Sequence, residues 1–158
     1  MPLKIRWVQK DYLGITLMLF GACGLFQALI IFIAQYFFRI GNYLVIILIP
    51  VGVTIALFFC TTIIYDSFSQ VERRKKVSKQ FQKFRQRKKV QQILLFPIVK
   101  PILIVIIVFN AVFFTAYFIS YIFLTNIYSF IIAENLATIT CLLTANAIER
   151  NYAKVVKY

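Results

Sequence analysis

The stretch LGITLMLFGACGLFQALIIFIAQYFF, residues 13–38, contains no charged residue and decides the class of protein. A helix needs about 20 residues to cross a hydrocarbon core of about 30 Å, because each residue adds about 1.5 Å. This run is longer than that, and it also exceeds the apolar core of a secretory signal peptide, which has about 7–15 residues. The sequence therefore predicts a membrane-spanning helix that is retained as an anchor.

Three further uncharged runs follow. One covers residues 43–65, and a longer one is divided by the turn-forming segment 125–129 into residues 102–124 and 127–148. Hydrophobic residues make up 61% of the chain and charged residues 15%, whereas a soluble domain needs about 25% charged residues to cover its surface. We therefore predict an all-α integral membrane protein with four transmembrane helices arranged as two hairpins.

The basic residues predict the orientation of these spans. Seventeen of the eighteen Lys and Arg residues fall in the three segments 1–12, 66–100 and 149–158, and Arg39 is the remaining one. Basic segments stay on the cytosolic side of a membrane. We therefore expect a cytosolic N-terminus, a cytosolic central loop and a cytosolic tail, with the two hairpins at residues 13–65 and 101–148.

The central loop is strongly basic. Ser69 and Glu72 fit a helix-capping box, and no Gly or Pro follows until Pro97, so we predict a helix over residues 70–95. Apolar residues interrupt the charges at helical spacing, which favours an amphipathic helix lying on the anionic cytosolic leaflet. The alternative is a solvated loop that only fixes topology. The candidate residues for anionic lipid are Arg73, Arg74, Lys75, Lys76, Lys79, Lys83, Arg85, Arg87, Lys88 and Lys89.

Small residues recur at every fourth position in the last span and at similar spacing in the second. Such a stripe lets another helix backbone approach closely. We expect helix packing along both stripes, and the pattern leaves open whether the contact is internal or with another subunit. The candidate packing residues are Ser129, Ala133, Ala137, Cys141 and Ala145, together with Gly52, Ala56 and Cys60.

Glu134 is the one acidic residue inside a predicted span. An ionised carboxylate in hydrocarbon is costly, so it must be paired, wetted or protonated. Arg39, in the turn of the first hairpin, is the expected partner. The alternatives are a structural pair near the interface, a proton or cation site, and a polar contact with a partner subunit. Other polar residues in the spans are expected to face neighbouring helices: Gln27, Gln35, Asn110, Asn135 and Asn146.

The composition predicts no catalytic residue, metal site or cofactor. The chain has no histidine and five carboxylates, and its three cysteines lie in apolar stretches without metal spacing. Nucleic acid is not an expected partner of the basic loop, because the loop is tethered next to membrane phosphates. We therefore expect a protein that is not an enzyme, with membrane lipids and either another membrane protein or further copies of itself as partners.

The layout of two spans, a cytosolic segment and two spans, with Trp7, Asp11 and Gly14 before the first span, resembles that of protein S-acyltransferases. That family carries its zinc and its nucleophile on Cys and His residues of the cytosolic segment, and residues 66–100 contain neither type, so no activity is implied. The two-hairpin plan also resembles reticulon-like membrane shapers.

Three functions follow from the sequence. The first is a non-enzymatic subunit or regulator of a larger membrane complex. The second is a channel or transporter component that uses Glu134, and the third is a membrane-shaping double hairpin. The expected location is the endoplasmic reticulum or another endomembrane, with a bacterial inner membrane as the alternative.

Overall fold

The computed structural model describes residues 10–78 and 98–153, with side chains for residues 13–69 and 98–151. This part of the chain forms four helices: α1 (Lys10–Tyr36), α2 (Tyr43–Ser78), α3 (Val99–Tyr121) and α4 (Asn126–Ala153). Each is long and apolar enough to cross a membrane. The prediction of an all-α membrane protein with four spanning helices is therefore confirmed.

The helices pack side by side, with α4 against both α2 and α3, and α1 mainly against α2. Phe130 of α4 meets Phe113 of α3, with ring centroids 6.0 Å apart, and further along α4 the thiol of Cys141 lies 3.8 Å from the carbonyl oxygen of Val105. Rising numbers on α4 thus match falling numbers on α3, so these two helices are antiparallel.

The turn between α1 and α2 touches the start of α4. The Asn126 side-chain amide donates a hydrogen bond of 2.9 Å to the carbonyl oxygen of Phe38. Both short connections, residues 37–42 and 122–125, therefore lie at one end of the molecule, which we name the turn end. The opposite end, where α2 leads toward the Arg- and Lys-rich segment, we name the basic end.

Aromatic side chains of α3 form the centre of the core. Phe109, Phe113 and Tyr117 recur at every fourth residue and are buried, and their rings stack along the helix. Phe26 of α1 meets Phe109 edge to face at 5.3 Å, and Phe38 stacks on Tyr117 at 3.7 Å. Because lipid removes most of the hydrophobic drive for helix association, such close contacts stabilise the bundle, each pair by about 0.5–1.5 kcal/mol.

The second helix is longer than the sequence predicted. It does not end at Tyr65 but continues to Ser78, 36 residues in all. The capping-box prediction at Ser69 is wrong, because this residue lies inside a helix and its hydroxyl donates to the backbone oxygen of Asp66. The remainder of the predicted 70–95 helix, residues 79–95, lies outside the described residues.

Pro50 is fully buried inside α2. Proline has no N–H, so the carbonyl of Ile46 loses its usual helical donor. One turn later, the Thr54 hydroxyl donates to the carbonyl oxygen of Pro50 at 2.7 Å. A neighbouring hydroxyl therefore supplies a local hydrogen bond beside the gap in the helical ladder, as is common in membrane helices.

Candidate functional site

The small-residue stripe of α4 is an internal packing face. All five of its members are at most 1% exposed: Ser129, Ala133, Ala137, Cys141 and Ala145. All of them except the polar Ser129 belong to the main hydrophobic core cluster. Because α4 packs against both α2 and α3, the stripe is covered within the chain itself. It is therefore not free to bind another subunit.

The second predicted stripe does not form a contact as a whole. Cys60 is buried, but Ala56 is only partly buried and Gly52 is exposed. A side-chain carbon added at Gly52 would meet nothing within 4 Å. The buried face of α2 instead carries larger residues, such as Val53 and Leu57. Gly52 and Ala56 thus lie on or near the outer surface of this chain, so they do not form an internal packing face, and a contact with another subunit stays a prediction.

Glu134 is completely buried, and neither carboxylate oxygen has a hydrogen-bond partner among the described residues. The carboxyl group lies eight residues below the first residue of α4, about 12 Å from the turn end. An isolated ionised carboxylate at such a position costs many kcal/mol. We therefore expect the neutral acid, unless an ion or water enters.

Arg39 is not the partner of Glu134. Arg39 is exposed in the turn between α1 and α2, and its backbone has a positive φ of 48°. That left-handed conformation reverses the chain so that Ile40 can enter the core, where its N–H bonds to the carbonyl oxygen of Ala34. The turn geometry therefore places Arg39 on the surface. The predicted ion pair between Arg39 and Glu134 is wrong.

Gln27 of α1 shares the condition of Glu134. It is 2% exposed, and both its amide nitrogen and its amide oxygen lack partners in the described part of the chain. Gln27 faces the bundle as expected, and Asn110 and Gln35 are partly buried. A buried amide without partners costs on the order of 1–3 kcal/mol, so Gln27 is a second buried polar side chain in the core that lacks hydrogen bonds to described residues.

The outer face of α4 was not anticipated. Asn135 and Asn146 are exposed rather than turned toward neighbouring helices. The Asn135 amide donates one hydrogen bond of 2.8 Å to the carbonyl oxygen of Ile131 in its own helix. Asn135 lies nine residues into α4, about 13 Å below the turn end, which is well inside a hydrocarbon core of about 30 Å.

These asparagines belong to a regular seam. Six of the exposed residues of α4 lie at alternating intervals of four and three, the spacing that places side chains along one face of a helix. We name this set the outer seam of α4: Tyr128, Ile132, Asn135, Ile139, Leu142 and Asn146.

The proposed lipid-binding residues are not described by the structure at the level of side chains. Positions 73–76 lie in the last part of α2, and positions 79–89 lie outside the described residues. Their role stays a prediction from the sequence.

The described residues contain no candidate metal site. They contain no group of three or more Cys, Asp or Glu side chains that could hold a metal ion, and the three cysteines are buried and free. Comparison with known proteins gave no match to a family model, to a curated protein or to a solved structure.

Proposed function

We propose that this protein is a non-enzymatic subunit or regulator that packs against another transmembrane protein through the outer seam of α4. Its basic segment lies on the anionic cytosolic leaflet, and its setting is the endoplasmic reticulum or another endomembrane. The observation that carries the proposal is Asn135, a polar side chain exposed on a spanning helix about 13 Å below the turn end.

The Asn135 amide is costly to expose to lipid. Its oxygen and one N–H remain free after the bond to Ile131. Transfer of an amide into an apolar environment without hydrogen bonds costs roughly 2–7 kcal/mol. A neighbouring helix that supplies hydrogen bonds removes part of that cost, and such contacts stabilise membrane helix pairs by about 0.6–2 kcal/mol. Asn135 is therefore better placed in a protein contact than in lipid.

The test is purification of the full chain from its native membrane in mild detergent, with mass spectrometry of the proteins that accompany it. A partner present in fixed stoichiometry is expected, and Asn135→Leu should reduce its recovery. Thr115→Val is the matched control, because Thr115 is an exposed polar residue on α3 that bonds only to its own helix. Equal recovery with both variants would refute the docking role of the seam.

A second candidate, a channel or transporter component, is favoured by the unpartnered burial of Glu134. Such a site could bind a proton or a small cation in transit. Ion and proton flux should be measured in liposomes with the wild type and with Glu134→Gln. Loss of flux in the variant, with the complex intact, would replace the subunit proposal by the transporter one.

The membrane-shaping alternative has less support. Even the shortest described helix, α3, has 23 residues and a length of about 34 Å. That length crosses a whole hydrocarbon core, whereas a wedge-like hairpin stops short of the far leaflet.

A further inference from the structure

We infer that Glu134 binds a proton rather than a metal cation, and that the carboxamide of Gln27 is the hydrogen-bond partner of the resulting carboxylic acid. This rests on the channel or transporter candidate given above, for which it names the ion and a second residue of the site. Buried atoms without hydrogen bonds are concentrated in these two side chains. In the described part of the chain, four of the five such atoms belong to Gln27 and Glu134, and the fifth is the hydroxyl oxygen of Ser129.

Glu134 lies at the level of Phe109 on α3. Two contacts between α3 and α4 bracket Glu134, one nearer the turn end and one farther from it: Phe130 with Phe113, and Cys141 with Val105. Phe109 is midway between the two residues of α3 in these contacts, so it is the residue of α3 at the level of Glu134.

Gln27 lies at the same level. Its neighbour Phe26 meets Phe109 with ring centroids 5.3 Å apart. Distances from the turn end agree, because Gln27 precedes the last residue of α1 by nine positions, or about 13 Å, and Glu134 is about 12 Å from that end. The two polar groups therefore occupy one layer of the bundle.

The two side chains can reach each other across the interior. One turn before Gln27, the thiol of Cys23 lies 3.8 Å from the hydroxyl oxygen of Thr61, so this side of α1 faces α2. Helices α1 and α4 occupy opposite corners, since α2 and α3 contact both of them. Packed helix axes lie about 8–10 Å apart, so opposite axes are about 13 Å apart. Backbones of about 2.3 Å radius leave about 8 Å for two long side chains.

Protonation makes the two groups complementary. A neutral carboxylic acid has one O–H donor and a carbonyl acceptor, and a carboxamide has an oxygen acceptor and N–H donors. The Glu134 O–H can donate to Oε1 of Gln27, while Nε2 of Gln27 donates to the other Glu134 oxygen. A change of rotamer or one bridging water molecule completes the contact. An ionised carboxylate only accepts, so it would leave Oε1 of Gln27 without a donor.

The surroundings of Glu134 also favour a proton. No Lys or Arg is buried among the described residues, so the core itself supplies no positive charge. The other titratable side chains buried in the packed helices are thiols and phenols, which are neutral at neutral pH: Cys23, Cys60, Tyr65, Tyr117 and Cys141.

A metal cation is poorly matched to this layer. Metal ions that bind through oxygen take about six or more ligands. The side chains at this level offer two oxygens of Glu134 and one each of Gln27 and Asn110. A proton needs a single acceptor, which Gln27 provides.

Infrared spectroscopy of the full chain in an ester-free detergent tests this inference. A neutral carboxylic acid has a C=O stretching band apart from those of carboxylates and amides. The wild type should show this band at neutral pH, and Glu134→Gln should lose it. Gln27→Leu should shift the band to higher frequency, because the acid loses a hydrogen bond. The matched control is Gln35→Leu, at a partly buried glutamine of the same helix, which should leave the band unchanged.

The variants are expected to fold. A hydrogen bond returns less free energy than the burial of two polar groups costs, so an apolar side chain at position 27 or 134 is compatible with a stable bundle. Should Gln27→Leu fail to fold, Gln27→Met keeps the side-chain length and makes the same test.

Thermal unfolding in sodium chloride and in choline chloride, at equal ionic strength, is the second measurement. A ligand that binds the folded state raises the unfolding temperature. The wild type should unfold at the same temperature in both salts. A rise in sodium that Glu134→Gln abolishes, without a carboxylic acid band, would show a bound metal cation and overturn the inference.

The remaining outcomes separate this inference from the transporter candidate. An acid band at the same frequency in the wild type and in Gln27→Leu would overturn the role of Gln27. If the band depends on Gln27 but liposomes show no flux, proton binding stands and the transporter candidate falls. If flux depends on Glu134 but the wild type has no acid band, the transporter candidate stands and this inference falls.

Discussion

Glu134 is an energetically costly side chain in the described core. Its carboxyl group is fully buried and lacks partners in the described structure, whereas Thr138 one turn later directs its hydroxyl to the backbone oxygen of Glu134 rather than to the carboxyl group. Natural proteins retain such positions for function more often than for stability. Replacing such a residue is expected to preserve or raise stability, but to reduce activity if the residue is functional.

We predict that Glu134→Leu preserves or raises the stability of the isolated chain, by up to about 1–3 kcal/mol, because it removes two unsatisfied oxygens. Unfolding by heat or by graded denaturing detergent measures this directly. A marked loss of stability would mean that an ion or a water molecule bonds to the carboxyl group, which would favour the transporter proposal.

At the scale of one helix, α4 has two faces with different surroundings. The small residues pack inside the chain, and the outer seam faces away from it. Close packing of the small residues was predicted from the sequence, because every fourth residue is small over five positions, but the sequence left open whether that contact is internal or with another subunit. Polar and apolar residues occur on both faces of α4, so the sequence did not show which face points away from the bundle without the neighbouring helices.

For the inner face, we predict that Ala137→Leu destabilises the fold by about 1–3 kcal/mol, since Ala137 is 0% exposed and the added carbons have no space. Leu143→Phe is the control on the outer surface and should change little, because Leu143 is 63% exposed. Thermal unfolding of both variants in the same detergent compares them. Equal effects would show that the stripe is not a close contact.

The second helix supplies a contrasting prediction. Gly52 was expected to pack, yet nothing lies within 4 Å of a side chain added there. Gly52→Ala should therefore preserve or raise stability, by up to about 1 kcal/mol, because alanine favours helix more than glycine does. Destabilisation by this variant in the same unfolding assay would restore Gly52 to the packing interface.

Other differences between expectation and structure also have local causes. Small residues are common on both packed and lipid-facing surfaces, so Gly52 and Ala56 did not show which face of α2 points into the bundle. The prediction of a Glu134–Arg39 ion pair required the Arg39 side chain to point inward. The left-handed backbone of Arg39 leaves this residue exposed and brings Ile40 into the core instead. The capping box at Ser69 matched a pattern that an uninterrupted helix also contains.

For the basic segment, we predict that changing Arg73, Arg74, Lys75, Lys76, Lys88 and Lys89 to Gln weakens contact with anionic lipid, by about 1 kcal/mol per residue. The measurement is the amount of anionic lipid bound to the full chain in mixed-lipid nanodiscs at rising salt. The excess of anionic lipid bound to the wild type over that bound to the variant should fall as the salt concentration rises. Equal lipid content in the wild type and the variant would refute an electrostatic contact.

At the scale of the whole molecule, the account depends on which end faces the cytosol. The structure places the two short connections together at the turn end, and the sequence places nearly all basic residues elsewhere. A bundle of four spans with a cytosolic basic end brings the basic segment to an anionic leaflet. The proposed lipid contact follows from that arrangement.

Side-specific cysteine labelling in intact membranes tests this claim most directly. Single cysteines at Lys83 and Tyr158 report the basic segment and the tail, and Gly41→Cys reports the turn end, where an added side chain meets nothing within 4 Å. The account predicts that positions 83 and 158 label from the cytosolic side and position 41 from the opposite side. Labelling of positions 83 and 158 from opposite sides would contradict it.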